Sequence, residues 1–203
     1  QIIATKPSTL QITMPEHIHH DKTFEGIVYS DKETKNREFE HCTFINCDFS
    51  NGSFTSSTFT RCSFTACNLT ATKLIDCKLD KITFKDCKLL GVNFSEANDL
   101  LFSVNFDGCI LDYCSFSRKK VRNTPFRNCS IKEVDFSDCD LTNCVFQNSD
   151  LTRSVFDRTN LRLTDFRNAE NFSIDPERNN IQKAKFSLNG LQGLLHKYNI
   201  TID

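Results

Sequence analysis

Large apolar residues recur at every fifth position over most of the chain. They begin at Phe39 and continue through Phe44, Phe49, Phe54, Phe59, Phe64, Leu69, Leu74, Leu79, Phe84, Leu89 and Phe94. After a slip of two residues the series resumes at Leu101 and runs through Phe106, Leu111, Phe116, Val121, Phe126, Ile131, Phe136, Leu141, Phe146, Leu151, Phe156, Leu161 and Phe166. Two residues before each stands a mostly small residue, and the positions between and after are polar, as in Cys139-Asp140-Leu141-Thr142-Asn143.

A period of five suits neither a straight strand nor an α-helix, because a strand puts residues i and i+5 on opposite faces and a helix separates them by roughly 140°. The chain must therefore turn a corner in every repeat. Within a repeat the small and the large residue are two apart, so a short extended piece points both inward. Stacked pieces make a solenoid lined by one large and one small side chain per repeat. From Leu101 to Phe166 the large residues alternate strictly between aliphatic and Phe. In a coil with an even number of sides each face then stacks like on like, whereas a triangular coil would mix sizes on every face. Four is the smallest even number that closes.

The repeat resembles the pentapeptide-repeat family, A(D/N)LXX, in which four pentapeptides make one square coil. The resemblance implies an all-β solenoid, a right-handed quadrilateral parallel β-helix, over at least Phe39 to Phe166. Phe24 and Phe186 keep the register, eight coils of twenty residues apart once the slip is removed. Phe44, Phe49, Phe64, Phe106, Phe116, Phe136, Phe146, Phe156 and Phe166 are expected in the core. The expected organisation is an N-terminal extension or cap over 1–21, a β-helix over 22–186 with a bulge near 95–100, and a C-terminal helix and tail over 187–203.

The coils are occupied with packing, so the breaks have most room for function. At Ser95-Glu96-Ala97-Asn98-Asp99-Leu100, Asp99 takes the place of a large apolar residue, which predicts a two-residue bulge. Asn98, Asp99 and Leu100 are the candidate partner contact. In Arg118-Lys119-Lys120-Val121-Arg122, Lys119 occupies an inward small-residue slot. Either its stem lies inside while the charge escapes, or the backbone bulges locally. The third break is 171–180, where Asp175-Pro176-Glu177 reads as a helix or turn start. Beyond it Leu188, Leu191, Leu194, Leu195 and Tyr198 form an apolar stripe at helical spacing, followed by the strand-like Ile200-Thr201-Ile202. A capping α-helix over the open end of the rod is expected there. These seven apolar residues are the candidate dimer interface, because such a helix and tail resemble the quinolone-resistance (Qnr-type) proteins, where the arrangement forms a head-to-head homodimer.

Candidate chemistry changes this picture little. No nucleotide-binding, nucleophile-elbow, zinc-protease or C-x-x-C motif occurs. All eleven cysteines fall in the small inward slot. Some stack one coil apart, such as Cys42 and Cys62, or Cys47, Cys67 and Cys87, at a spacing of ~4.8 Å that is too wide for easy bridging. They are expected to be free thiols filling space. Asp48, Asp135, Asp140, Asp150 and Asp165 precede large residues and are expected at corners on a convex surface without a cleft. His17, His19 and His20 sit beside Glu16, but nothing completes a metal-ligand set at a standard spacing, so a mobile terminus or a first-coil cap is expected. No cofactor and no enzyme activity are expected.

The formal net charge is −1, which argues against strong attraction to nucleic acid or to anionic membrane. No run of eighteen apolar residues and no signal-peptide pattern is present, so a cytoplasmic, non-membrane protein is expected. Six Gly and four Pro are few for a loop-rich domain. Two functional readings follow. One is a protein-interaction scaffold that uses its flat polar faces. The other comes from the resemblance to Qnr-type proteins, rods that mimic DNA, bind DNA gyrase or topoisomerase IV and protect it from quinolones. Against DNA mimicry, residues Phe39 to Glu96 carry six Lys/Arg and six Asp/Glu, and no long loop projects from the coil.

Overall fold

The computed structural model describes residues 17–201. It is an all-β, right-handed quadrilateral parallel β-helix. Seven short strands stack along one wall: Thr23–Glu25, Thr43–Ile45, Ser63–Thr65, Ile82–Lys85, Val104–Asp107, Pro125–Arg127 and Val145–Gln147. A second wall pairs Ile18–His20, Glu38–Glu40, Thr58–Thr60 and Lys78–Asp80, and a third pairs Glu33–Lys35 with Ser53–Thr55. Every pairing among these strands is parallel. The register is twenty residues, as in Phe44 beside Phe64, and becomes twenty-two across the slip, as in Phe84 beside Phe106.

The interior follows from the alternation of residue sizes. Phe24, Phe44, Phe64, Phe84, Phe106, Phe126, Phe146, Phe166 and Phe186 form one continuous column, with successive ring centroids 4.5–5.4 Å apart. Phe94, Phe116, Phe136 and Phe156 form a second column. Rings of the two columns meet edge to face, Phe116 and Phe126 at 6.1 Å and 89°. Both contact types suit the aromatic quadrupole. The large central residues of the regular repeats from Phe39 to Phe94 and from Phe106 to Phe166 are all buried.

The small slot has a second requirement that size alone does not convey. Its residue lies under a carbonyl of the preceding coil, and in many repeats its thiol or hydroxyl donates to that oxygen. Cys62 Sγ donates to Phe39 O at 3.3 Å, Cys139 Sγ to Phe116 O at 2.7 Å, Thr72 Oγ1 to Phe49 O at 2.9 Å and Thr164 Oγ1 to Leu141 O at 2.8 Å. Cys, Ser and Thr are therefore preferred as small donors, and the cysteines are more than filler. All eleven are free and buried. Burial pushes Cys62, Cys77 and Cys139 up to about 12, so these thiols stay protonated.

The corners carry the backbone strain. The residue two after nearly every large one takes a left-handed conformation, as at Asn46 (φ 52), Arg61 (φ 53) and Leu163 (φ 62), and among the described residues glycine stands at only three of these corners. Outside glycine, Asn and Asp accept this conformation most readily. Replacing Leu163 by Asn should raise unfolding stability by about 1 kcal/mol, measured by urea denaturation; an unchanged midpoint would show that the corner is not strained. Asp and Asn just before the large residue brace the same turns. Their side chains accept the backbone N–H two residues on: Ser50 to Asp48 at 3.0 Å, Ser137 to Asp135 at 2.9 Å, Thr142 to Asp140 at 3.1 Å, Thr152 to Asp150 at 3.1 Å and Arg167 to Asp165 at 3.1 Å. For Asp150, burial acts upward, but hydrogen bonds from Thr152, Asn171 and Lys132 outweigh it and hold the carboxyl at about 2. The Arg167 guanidinium lowers Asp165.

The first strand starts early, and the last element is not the expected helix. The first strand is Ile18–His20, inside the stretch assigned to an extension or cap over 1–21, because His19 keeps the register and lies opposite Phe39. Its buried ring stacks on Phe39 at 4.9 Å and covers the first coil. His20 is exposed and faces Glu40 at 3.0 Å. Glu16 lies outside the described residues.

At the other end the expected α-helix is replaced by two 3-10 turns, Leu191–Leu194 and His196–Tyr198. Gly190 and Gly193 disfavour an α-helix, and the backbone here is pressed against Phe172. Ile174 N donates to Gly193 O at 2.9 Å, and a Cβ at Gly193 would lie 2.5 Å from Phe172 O. Phe172 and Ile174 plug the last coil, and of the leucine stripe Leu194 packs against the core; Phe172 packs on Phe166 at 5.4 Å and Phe186 at 5.6 Å. Asp175-Pro176-Glu177 forms a turn, tied to the tail by Lys197 at 2.7 Å from both carboxylates.

Candidate interaction site at the insertion

The ladder of the wall that begins at Ile18–His20 is interrupted after Lys78–Asp80, one coil before the insertion, and resumes with Lys120 beside Asp140. Asp99 keeps the place of the missing large residue, so the corner falls two residues later at Leu101 (φ 60). Elsewhere the small inward residue follows the corner directly. Here Phe102 and Ser103 intervene before Val104. The apolar series therefore does not resume at Leu101, which is 67% exposed; Phe102 turns back instead, its ring edge-on to Phe94 at 6.4 Å. With Asp99 directed outward and 80% exposed, Phe102 fills part of the gap in the core.

Lys119 fills the rest. It occupies the inward slot one coil beyond Ala97, and its side chain is only 4% exposed. Its ammonium donates to Ala97 O and to Asp99 Oδ1, the latter at 2.7 Å, and lies 5.5 Å from the centre of the Phe102 ring. Neither expected alternative holds: the charge does not escape and the local backbone does not bulge. The neighbouring coil brings the partners instead, so the two anomalies in the repeat are one structure.

Outside, Leu100 is 60% exposed beside Leu101. Other exposed apolar residues along the walls, such as Ile75, Ile110 and Val155, are scattered singly. Lys78 and Lys81 in the preceding coil and Lys120 in the next are exposed, while Arg122 is held by Asp140. Asn98 donates to Asp76 at 2.8 Å and accepts from Leu100 N at 2.9 Å, shaping the turn instead of projecting from it. Of the candidate contact residues, Leu100 and Asp99 are exposed, and Leu101 adds a second exposed leucine beside them.

The candidate dimer residues divide. Leu188, Leu191, Tyr198 and Ile200 are exposed, Leu195 is half-buried, and Leu194 packs on the chain's own core, which removes it from an outward face. Ile202 lies outside the described residues. Many surface charges are paired between neighbouring coils: Arg158 with Asp138 at 2.8 Å, Arg122 with Asp140 at 2.5 Å, Lys132 with Asp150 at 3.2 Å and Arg178 with Asp157 at 2.6 Å. Among the described residues no group of three or more His, Cys, Asp or Glu is placed to hold a metal ion, and no helix is long and apolar enough to cross a membrane.

The family model described as a pentapeptide repeat region matches residues 37–116 and 99–166. The chain belongs to the pentapeptide-repeat family. No curated protein sequence matches it. Among solved structures, it is similar to a trypsin-treated point variant of QnrB1, a plasmid-mediated fluoroquinolone resistance protein, with TM-score 0.58 and 20% identity over 92% of this chain and 91% of that one. A second trypsin-treated variant of QnrB1 gives TM-score 0.57 and 18% identity over 92% and 100%. HetL from Nostoc sp. strain PCC 7120, involved in heterocyst differentiation regulation, gives TM-score 0.32 and 13% identity over 82% and 87%. The likeness to QnrB1 is one of fold, shared along nearly the whole rod.

Proposed function

We propose that this pentapeptide-repeat chain is a non-enzymatic interaction scaffold that docks a partner protein through its insertion. The observation that carries this reading is the adjacent exposed pair Leu100–Leu101, presented by an irregular segment on an otherwise regular rod. An apolar pair between coils that carry exposed Lys78, Lys81 and Lys120 fits an apolar pocket with an acidic rim, because burial of the leucines and charge complementarity then act together. The finer reading is binding to DNA gyrase or topoisomerase IV with protection from quinolones. Rod shape supports it. The self-paired charges weigh against DNA mimicry, which calls for a continuous acidic face.

A photo-crosslinking residue at position 100, with the same probe at position 60 on a regular coil as the control, tests the docking site. A single saturable adduct from position 100, abolished by Leu101→Asp, is expected; equal labelling from both positions would overturn the site. Purified gyrase, with and without ciprofloxacin, decides the partner: neither inhibition nor rescue of supercoiling at micromolar protein excludes the topoisomerase reading. We also infer that the exposed set Leu188, Leu191, Tyr198 and Ile200 pairs two copies of the chain as a homodimer.

A further inference from the structure

The insertion is tied to the rod unequally on its two sides. Toward the preceding coil, Asn98 N donates to Cys77 O at 2.9 Å, Ser103 N to Leu79 O at 2.8 Å, and Ile82 N to Ser103 O at 2.9 Å. Toward the following coil, among the described residues, no backbone hydrogen bond leaves residues 98–102. Elsewhere the residue after the small inward one continues the ladder, as where Lys88 N donates to Cys67 O at 2.9 Å and Ile110 N to Cys87 O at 2.9 Å. At the insertion the equivalent acceptor, Ala97 O, receives the Lys119 ammonium instead.

We propose that Lys119 is a positioning residue that clamps the insertion onto the next coil and thereby sets how Leu100 and Leu101 are presented. Its three contacts fall on both flanks of the leucine pair: Ala97 and Asp99 precede it and Phe102 follows it. The ammonium so takes the place of the missing ladder. A side chain that merely filled the core would need no charge, and the small residue usual in this slot could not span the distance. The Lys119 stem and the bond to Ala97 O are buried, while Asp99 closes the clamp from the solvent side.

The test is chymotrypsin cleavage at Leu100–Phe102, read alongside thermal unfolding. Lys119→Met retains the stem and removes the ammonium. It should be cut at least about tenfold faster than the parent chain within the insertion, while its main melting transition survives, since the other three walls keep their ladders. Cleavage within twofold of the parent rate would overturn the clamp. Should Lys119→Met fail to fold, Asp99→Asn decides: it changes an exposed side chain and should speed cleavage several-fold, and an unchanged rate would equally overturn the proposal.

The effect on binding rests on the docking reading above, and the two can fail separately. Faster cleavage of Lys119→Met with undiminished crosslinking from position 100 keeps the clamp and removes its role in docking. Site-specific crosslinking that persists with no change in cleavage keeps the docking site and removes the clamp.

Discussion

Replacing Phe136 by Asp is expected to abolish the folded rod. Phe136 is fully buried, stacked between Phe116 at 5.4 Å and Phe156 at 5.3 Å, and edge-on to Phe126 and Phe146 at 6.0 Å each. Removing a buried phenylalanine alone costs about 3–5 kcal/mol. The substitution also places a carboxylate where its neighbours are aromatic rings, and an unpaired buried charge is costly without a partner. A solenoid has no alternative core to retreat to, since each coil contacts only its two neighbours and a break divides the rod. Circular dichroism and thermal unfolding check the outcome. A soluble variant melting at the parent temperature would contradict the inward assignment of the column.

The second large effect is expected on oligomeric mass. Leu188, at 84% exposed, and Leu191, at 42%, stand on the outer side of the terminal turns, while Phe172 and Ile174 beneath them close the coil. Leu188→Asp combined with Leu191→Asp should therefore leave the fold intact and halve the mass measured by light scattering. A monomeric parent chain, or a double variant with unchanged mass and melting, would sink the dimer.

The central architecture was legible because a five-residue period admits few geometries. Strict alternation of Phe and aliphatic residues pointed to four walls, and the columns from Phe106 to Phe166 stack accordingly. The slip was legible as a length but not as a place: Leu101 is the right residue type for the core, yet Asp99 retains the register and sends Leu101 to the corner. The terminal stripe misled because helical spacing does not report what lies beneath it. Contact with Phe172 admits only glycine at position 193, and the chain answers with 3-10 turns. The link between Asp99 and Lys119 left a signal, two exceptions of opposite charge one coil apart. It becomes a contact only when the coils are stacked.

Repeat length, the number of walls and nearly all of the inward residues were determined by the sequence itself, because local periodicity and side-chain size suffice to set them. The tertiary structure alone decided the donor role of the cysteines, the left-handed corners, the residues that close the last coil and the partner of Lys119. The cysteine bonds and the Lys119–Asp99 pair join atoms twenty or more residues apart, which come into reach only through the ~4.8 Å spacing of adjacent coils.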